Sequence, residues 1–321
     1  MKPPYQITNK ILILIASISQ KIGEINAAHL YKPTMELRKK NRIKTIQSSL
    51  EIEGNTLTEE QITALLENKR VVAPQKDILE VQNAIKVYDQ FGKFNPYQIK
   101  DLEKAHSILM NGLIESAGRF RATNVGIVKG SKVEHIAPGG AMVKGLMKDL
   151  FGYLKKDDDL LLIKSCVFHY EFEFIHPFID GNGRMGRLWQ TLILMQQYPI
   201  FEFLPVESLI KQQQNIYYKK LSESDKKGES TPFIEFMLGI LSDALEEILQ
   251  MQNKTLYTGD RILIFKDKAG KIRFSRKDYL QHFKNISAPT ASRDLKWAVE
   301  QGIITKFGEQ RLTEYQFLEK T

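Results

Sequence analysis

Apolar positions along this 321-residue chain recur mostly at intervals of three and four, the spacing of one helix face, and strand-like alternation is confined to short stretches. From about Gln6 to Asn68 the pattern is helical, with a break near Tyr31-Lys32-Pro33-Thr34. Within it, Leu37 to Glu53 puts Ile43, Ile46 and Leu50 on one stripe and stops at Gly54-Asn55, a common way to end a helix. Thr58 with Gln61 three residues on forms a capping box ahead of Ile62, Leu65 and Leu66. Further helices are predicted from about Asp77 to Tyr88, Asn95 to Glu115 with Pro96 at its start, Met142 to Leu154, Leu209 to Leu221 and Thr231 to Gln252. Val125, Ile127 and Val128, then Val133 and Ile136, flank Gly130-Ser131 with the composition of a short β-hairpin. Periodicity does not decide residues 160–175. Phe168, Tyr170, Phe172 and Phe174 alternate like a strand, whereas Leu161, Ser165, Phe168, Phe172 and Ile175 fit a helix. The expected fold class is mainly α.

From Thr258 onward the chain changes character, with thirteen basic residues from Arg261 to Lys320 against eight acidic ones. A helix is followed by Ser275 as a cap, a helix to about Phe283, a turn, and a helix from Pro289 through Gln301. Gly302-Ile303-Ile304-Thr305 and Arg311-Leu312-Thr313 then flank Gly308 as a two-stranded wing. This order resembles a winged helix-turn-helix, used for DNA and for protein contacts alike. Thr290, Ser292, Arg293 and Lys296 are its candidate contact residues. The net charge of +8 points to an acidic partner without choosing among nucleotide, nucleic acid and protein. Apolar content of 42% and charged content of 26% are those of an ordinary globular protein. The single Cys166 cannot form an intramolecular disulfide and fits a reducing cytoplasm. The apolar run 11–16 is too short to span a bilayer and lacks a signal cleavage pattern, so it is expected as a buried helix face. No membrane association is expected.

Chemistry is concentrated in His176-Pro177-Phe178-Ile179-Asp180-Gly181-Asn182-Gly183-Arg184-Met185-Gly186-Arg187. The glycines on either side of Asn182 allow a tight turn and close approach of a ligand. Arg184 onward, with Leu188, Leu192 and Met195, reads as a helix. A turn feeding a helix presents unpaired N–H groups and a positive dipole end, which suit an anion. Arg184 and Arg187, three apart, can fork onto phosphate oxygens. Asp180 is the kind of ligand Mg²⁺ takes when phosphates fill its other positions. These residues describe a nucleotide phosphate site with a histidine beside it. The match of 181–186 to G-x-G-x-x-G lacks the βαβ context a dinucleotide site needs. His176, His169 and Cys166 lack paired-ligand spacing for a soft metal. The run Asp157-Asp158-Asp159 reads as a solvated loop, and His106 as a packed or exposed histidine.

The segment resembles the signature of the Fic (filamentation induced by cAMP) family, H-x-F-x-[DE]-G-N-G-R-x-x-R, with every defined position met. The resemblance implies a Fic-type helical core with a β-hairpin flap, and resolves 160–175 as a buried helix leading into the catalytic loop. It implies transfer of AMP from ATP to a hydroxyl of a protein target. His176 would be the general base and Asp180 the Mg²⁺ ligand. Asn182 with the backbone of Gly181 and Gly183 would cradle the α-phosphate, Arg184 would meet the β-phosphate and Arg187 the γ-phosphate. Phe178 would point into the core. The flap would align the target backbone by strand addition, although Ala137-Pro138-Gly139-Gly140 stands where many members have two prolines. Asn215, near Tyr217 and Tyr218, is a candidate ribose or base contact.

Ser49-Leu50-Glu51-Ile52-Glu53-Gly54 is commonplace alone, but it also resembles the family's inhibitory motif, [ST]-x-x-x-E-[GN], through Ser49, Glu53 and Gly54. Glu53 would then occupy Arg187 and deny the γ-phosphate its anchor. The domains expected are 1–95 with an inhibitory helix at about 37–53, 96–255 as the catalytic core, and 258–321 as the winged helix. A homo-oligomer could modulate the inhibitory helix. Two alternatives stay open: a DNA-binding regulator whose core senses nucleotide, and a de-AMPylating enzyme in which Glu53 orients a water.

Overall fold

The computed structural model of the protein describes residues 2–27, 35–129, 132–255, 258–270, 273–283, 286–309 and 313–318. The expected break at Tyr31-Lys32-Pro33-Thr34, the hairpin turn Gly130-Ser131, and Arg311-Leu312 in the wing lie outside these residues. Two compact units divide the chain: Met1–Gly23 with Tyr31–Leu245, and Glu24–Leu30 with Glu246–Thr321. The fold is mainly α.

In chain order the first eight helices are α1 (Asn9–Ala27), α2 (Met35–Ile52), α3 (Glu59–Leu66), α4 (Gln75–Tyr88), α5 (Ile99–Leu109), α6 (Val143–Lys156), α7 (Leu161–Ile175) and α8 (Asn182–Met195). They are followed by α9 (Val206–Gln212), α10 (Gln214–Lys227) and α11 (Thr231–Thr255). An antiparallel hairpin, β1 (Gly126–Lys129) and β2 (Lys132–Ile136), lies between α5 and α6, with a bulge at Ile127/Val128. The central pair is α7 against α8. Phe168, Phe172, Val167, Cys166, Ser165 and His169 on α7 are all fully buried, so that helix is covered on nearly every side. A helix buried all round shows no apolar stripe, which is why periodicity could not tell it from a strand. On α8, Met185, Leu188, Trp189, Leu192 and Ile193 are buried, and the Trp189 indole N–H donates to the Pro96 carbonyl at 3.0 Å.

The capping box at Thr58 forms as expected, with Gln61 returning the bond. Elsewhere the structure corrects the element limits. The expected helix at 95–115 spans only Ile99–Leu109, because the Asn95 side chain accepts from the Tyr97 N–H in a turn before it. The helix expected over 209–221 is two helices divided at Gln213, whose φ and ψ of −109° and 27° are not helical. Of the apolar run 11–16, Ile11 is fully buried, whereas Leu12 and Ile13 are exposed. Among the described residues no helix is long and apolar enough to cross a membrane.

The second unit contains α12 (Thr258–Ala269), β3 (Phe274–Ser275), α13 (Arg276–His282), α14 (Ala288–Glu300), β4 (Ile304–Phe307) and β5 (Glu314–Phe317). The strands form an antiparallel sheet of order β3-β5-β4 over a core that includes Phe265, Phe274, Tyr279, Leu295 and Phe317. Ser275 caps α13 in a reciprocal box with Asp278. The final strand follows Thr313 instead of containing it, and β3 carried no signal of its own because two residues make no pattern. Arg261 forks onto the buried Asp294 at 2.6 and 2.7 Å, so this arginine is a structural cation.

Candidate active site

The loop between α7 and α8 begins with His176, which caps α7 in the left-handed conformation at φ 49° and ψ 61°. A non-glycine residue there is uncommon and needs surrounding structure to hold it. Arg121 supplies that support. Its guanidinium donates to the carbonyls of His176 at 2.6 Å, Ile175 at 2.9 Å, Thr123 at 2.7 Å and Pro138 at 2.7 Å. Its own N–H donates to the Pro177 carbonyl at 2.9 Å. Nothing in the sequence pattern marks Arg121 for this role, since a single arginine before a hairpin carries no spacing that announces it.

Phe178 is fully buried and stacks on His106, ring centres 3.6 Å apart and planes within 5°. His106 accepts from the Gly118 N–H at Nδ1, which leaves Nε2 to donate to the Asp180 carbonyl at 2.9 Å. Burial lowers the His106 pKa to about 4, so the ring is neutral and the tautomer is fixed by its two partners. His106 is thus a packed residue, as expected, and it also braces the loop. Asn182 turns inward. Its side chain accepts from the Phe178 N–H and donates to the Phe178 carbonyl, both at 2.9 Å, closing the loop on itself. Its backbone, with that of Gly183, opens α8. Gly181 precedes them at φ 85°, and a Cβ there would lie 2.8 Å from the Met110 sulfur.

Both signature arginines are buried at the start of α8. Arg187 donates through Nη2 to Glu53 Oε1 at 2.8 Å and to the Ser49 carbonyl at 2.9 Å, and through Nε to Ser49 Oγ at 3.2 Å. The contact between Glu53 and Arg187 that the resemblance implies is present, and Ser49 contributes two further contacts. Burial disfavours the Arg187 charge, but Glu53 together with other groups nearby holds its pKa above the usual guanidinium value. That carboxylate also lies against Gly183, where any Cβ would collide with it. Glu53 follows the last residue of α2, whose end is fixed by two donors: Lys211 to the Glu51 carbonyl at 3.4 Å and Gln214 to the Ile52 carbonyl at 3.0 Å. A helix end leaves its last carbonyls short of internal donors; here Gln214 serves Ile52, while the Glu51 carbonyl also accepts from the Gly54 N–H at 3.1 Å.

Arg184 donates to Glu80 Oε1 at 3.2 Å and to Asp180 Oδ1 at 3.1 Å. Asp180, half-exposed, also accepts from the Gly181 N–H at 2.6 Å. Among the described residues no cluster of three or more His, Cys, Asp or Glu side chains could hold a metal. One exposed carboxylate nevertheless suits Mg²⁺ arriving with phosphates, since that ion keeps few protein ligands. Asn215 is exposed in the first turn of α10, beside the Gln214 that holds the end of α2. Cys166 and His169 share Gln190 as a hydrogen-bond partner in the core, and burial pushes the thiol up to about 12.

Residues 96–194 match the Fic/DOC family profile. Along its whole length the chain is similar to a Fic family protein from Desulfovibrio desulfuricans G20 of known crystal structure: 40% identity, TM-score 0.76, covering 100% of this chain and 99% of the other. A protein adenylyltransferase Fic of Nematostella vectensis is 31% identical over 72% of this chain and 54% of its own length. One from Culex quinquefasciatus is 29% identical over 73% of this chain and 46% of its own length. The chain therefore spans about half the length of the curated relatives it matches. Fic-1 of C. elegans shares the fold at 19% identity, with a TM-score of 0.59 over 76% of this chain and 75% of its own.

Proposed function

The chain belongs to the Fic family, and on that premise we propose that it is a protein adenylyltransferase, moving AMP from ATP to a hydroxyl of a protein target and restrained by its own Glu53. The observation that carries this reading is a carboxylate seated on a helix N-terminus beside a buried arginine, Glu53 on Arg187 at 2.8 Å. Such a place suits a phosphate, and the chain's own anion fills it.

With Glu53 withdrawn, Arg187 is released to the γ-phosphate and Arg184 to the β-phosphate, while the first N–H groups of α8 face the α-phosphate. His176 takes the proton of the target hydroxyl. Its Nδ1 is shielded from solvent, which leaves Nε2 as the basic nitrogen. The hydroxyl oxygen bonds to the α-phosphorus, the bond from that phosphorus to the bridging oxygen breaks, and pyrophosphate leaves with its charge held by the two arginines. The chemistry requires placement and charge more than covalent help. Asp180 would hold Mg²⁺ together with the nucleotide phosphates, and the ion supplies further positive charge to the leaving group. The hairpin β1–β2 would align the target backbone by strand addition, and Asn215 would face the nucleoside.

The test is intact-protein mass spectrometry after incubation with ATP and Mg²⁺. Glu53→Gly should gain one AMP on the protein itself, whereas wild type and Glu53→Gly/His176→Ala should not. Equal labelling of the double variant would remove His176 from its role. The second unit, by its order of helices and strands, is proposed as a winged helix. Arg261 is committed to Asp294 and Arg273 stacks on Phe307 at 4.0 Å, which leaves Arg276, Lys277, Arg293 and Lys296 as exposed basic residues on α13 and α14 among the described residues.

A further inference from the structure

We propose that Glu80 is a second acidic brake on this site, acting on Arg184 as Glu53 acts on Arg187; the proposal rests on the phosphate-binding reading above. Glu80 belongs to no recognised motif and enters from α4, 104 positions before its partner. Its side chain is 8% exposed and Arg184 is 5% exposed, so the pair is shielded from water on both sides. Charges in that setting attract more strongly than on a surface.

The three nitrogens of Arg184 are differently placed. Nη2 rests on Asp180, Nη1 rests on Glu80, and Nε is buried with no hydrogen-bond partner among the described residues. A phosphate that takes this guanidinium edge on must displace one of the two carboxylates. Asp180 is 53% exposed and can turn away toward solvent or a metal ion. Glu80 cannot do so readily. Its second oxygen accepts from Asn55 Nδ2 at 2.8 Å, and the same amide donates to the Asp77 carbonyl at 3.1 Å. Asn55 is itself buried. Glu80 is therefore the fixed competitor for Arg184, and Asp180 the movable one.

Asn55 stands two residues after Glu53, across Gly54 at φ 94°. One tight turn at the end of α2 thus reaches both signature arginines: Arg187 directly through Glu53, and Arg184 through Asn55 and Glu80. Removal of Glu53 frees only half of the phosphate site.

The experiment is calorimetric binding of inorganic pyrophosphate with Mg²⁺, which needs no transfer to occur. Glu53→Gly is compared with Glu53→Gly/Glu80→Gln and Glu53→Gly/Glu80→Asp. The Glu80→Gln change should tighten binding about tenfold, the size of one charge-assisted contact released, and Glu80→Asp, which keeps the charge but retracts it, should tighten it less. The gain should vanish when Arg184→Ala is added. Unchanged or weaker binding in a cooperatively folded Glu80→Gln protein overturns the proposal, because Glu80 would then be holding Arg184 ready for phosphate. Should Glu80→Gln fail to fold, Glu80→Asp decides by the same criterion. Pyrophosphate that binds Glu53→Gly but gains nothing from either Glu80 change refutes this inference alone. Pyrophosphate that does not bind Glu53→Gly refutes the phosphate-site reading and this inference with it.

Discussion

Glu53→Ala should make the resting protein less stable and the nucleotide-loaded protein comparatively more so. In wild type the Arg187 side chain is 1% exposed and Glu53 30% exposed, with their atoms 2.8 Å apart. Removing one partner of a buried pair costs about 3–5 kcal/mol, because the remaining charge is left without compensation. Two features lower that figure here: Glu53 is partly hydrated, and Arg187 keeps both bonds to Ser49. A loss of about 2–3 kcal/mol is expected on those grounds. For a unit of this size that lowers the melting temperature by roughly 4–12 °C. ATP with Mg²⁺ at a hundred times its dissociation constant then returns about 2.7 kcal/mol. The assay is a pair of melting curves, with and without ATP and Mg²⁺, for wild type, Glu53→Ala and Glu53→Gln. Wild type should start high and shift little; Glu53→Ala should start low and shift most. Glu53→Gln, which keeps a hydrogen-bonding oxygen without the charge, should lie between. Equal starting temperatures and equal shifts in all three would show that Glu53 and nucleotide do not compete for Arg187.

Arg121→Met should loosen the catalytic loop, since four carbonyls lose a buried donor. At about 1 kcal/mol or more for each buried acceptor left bare, a loss of at least ~3 kcal/mol is expected. In the Glu53→Gly background, self-labelling should fall more than tenfold; a native melting temperature with undiminished labelling would sink the idea. His106 and His169 are kept neutral by burial, with pKa values lowered to about 4 and about 3. Because the unfolded chain then binds more protons below its ordinary value of about 6.5, each contributes stability that is lost as pH falls from there toward the folded value. Glu171 and Glu207, pushed up to about 7 by burial, work in the opposite direction over part of the same range. The test is therefore a difference: the advantage of wild type over His106→Asn in urea unfolding should shrink by about 2 kcal/mol between pH 7 and pH 5. A constant difference would mean that His106 is not held neutral.

What could be read from the chain was what lies close together along it. The capping box at Thr58, the cap at Ser275 and the turn around Gly181 are local features, each found where its spacing put it, and Ser49 and Glu53, one helical turn apart, both meet Arg187. The residues that escaped notice act over long separations. Arg121 meets His176 across 55 positions, and Glu80 meets Arg184 across 104. Neither interval leaves a periodic trace, and a buried arginine or glutamate looks in sequence like any surface charge. The expectation for Asn182 shows a different gap. Its place in the motif was plain, but the two bonds that turn its side chain onto Phe178 follow only from the closed loop.

The overall charge of +8 points to an acidic partner of some kind. The local balance is different. Around the start of α8, the guanidinium groups of Arg184 and Arg187 are met by the carboxylates of Glu53, Glu80 and Asp180. With Lys76 3.9 Å from Glu80, the cluster holds as many carboxylates as cations, so its positive charge is already matched before a nucleotide arrives. A basic surface attracts anions over long distance, where salt screens it, whereas charges at close range and shielded from water, such as Glu80, are screened much less. Two unit charges 4 Å apart at an effective dielectric of 20 interact by roughly 4 kcal/mol, which is the scale on which the proposed competition between carboxylate and phosphate would operate. Control of such a site needs no large rearrangement of the helices. On the restrained reading proposed above, the turn after α2 would have to take Glu53 off Arg187, and Lys211 and Gln214 donate to the carbonyls at the end of that helix.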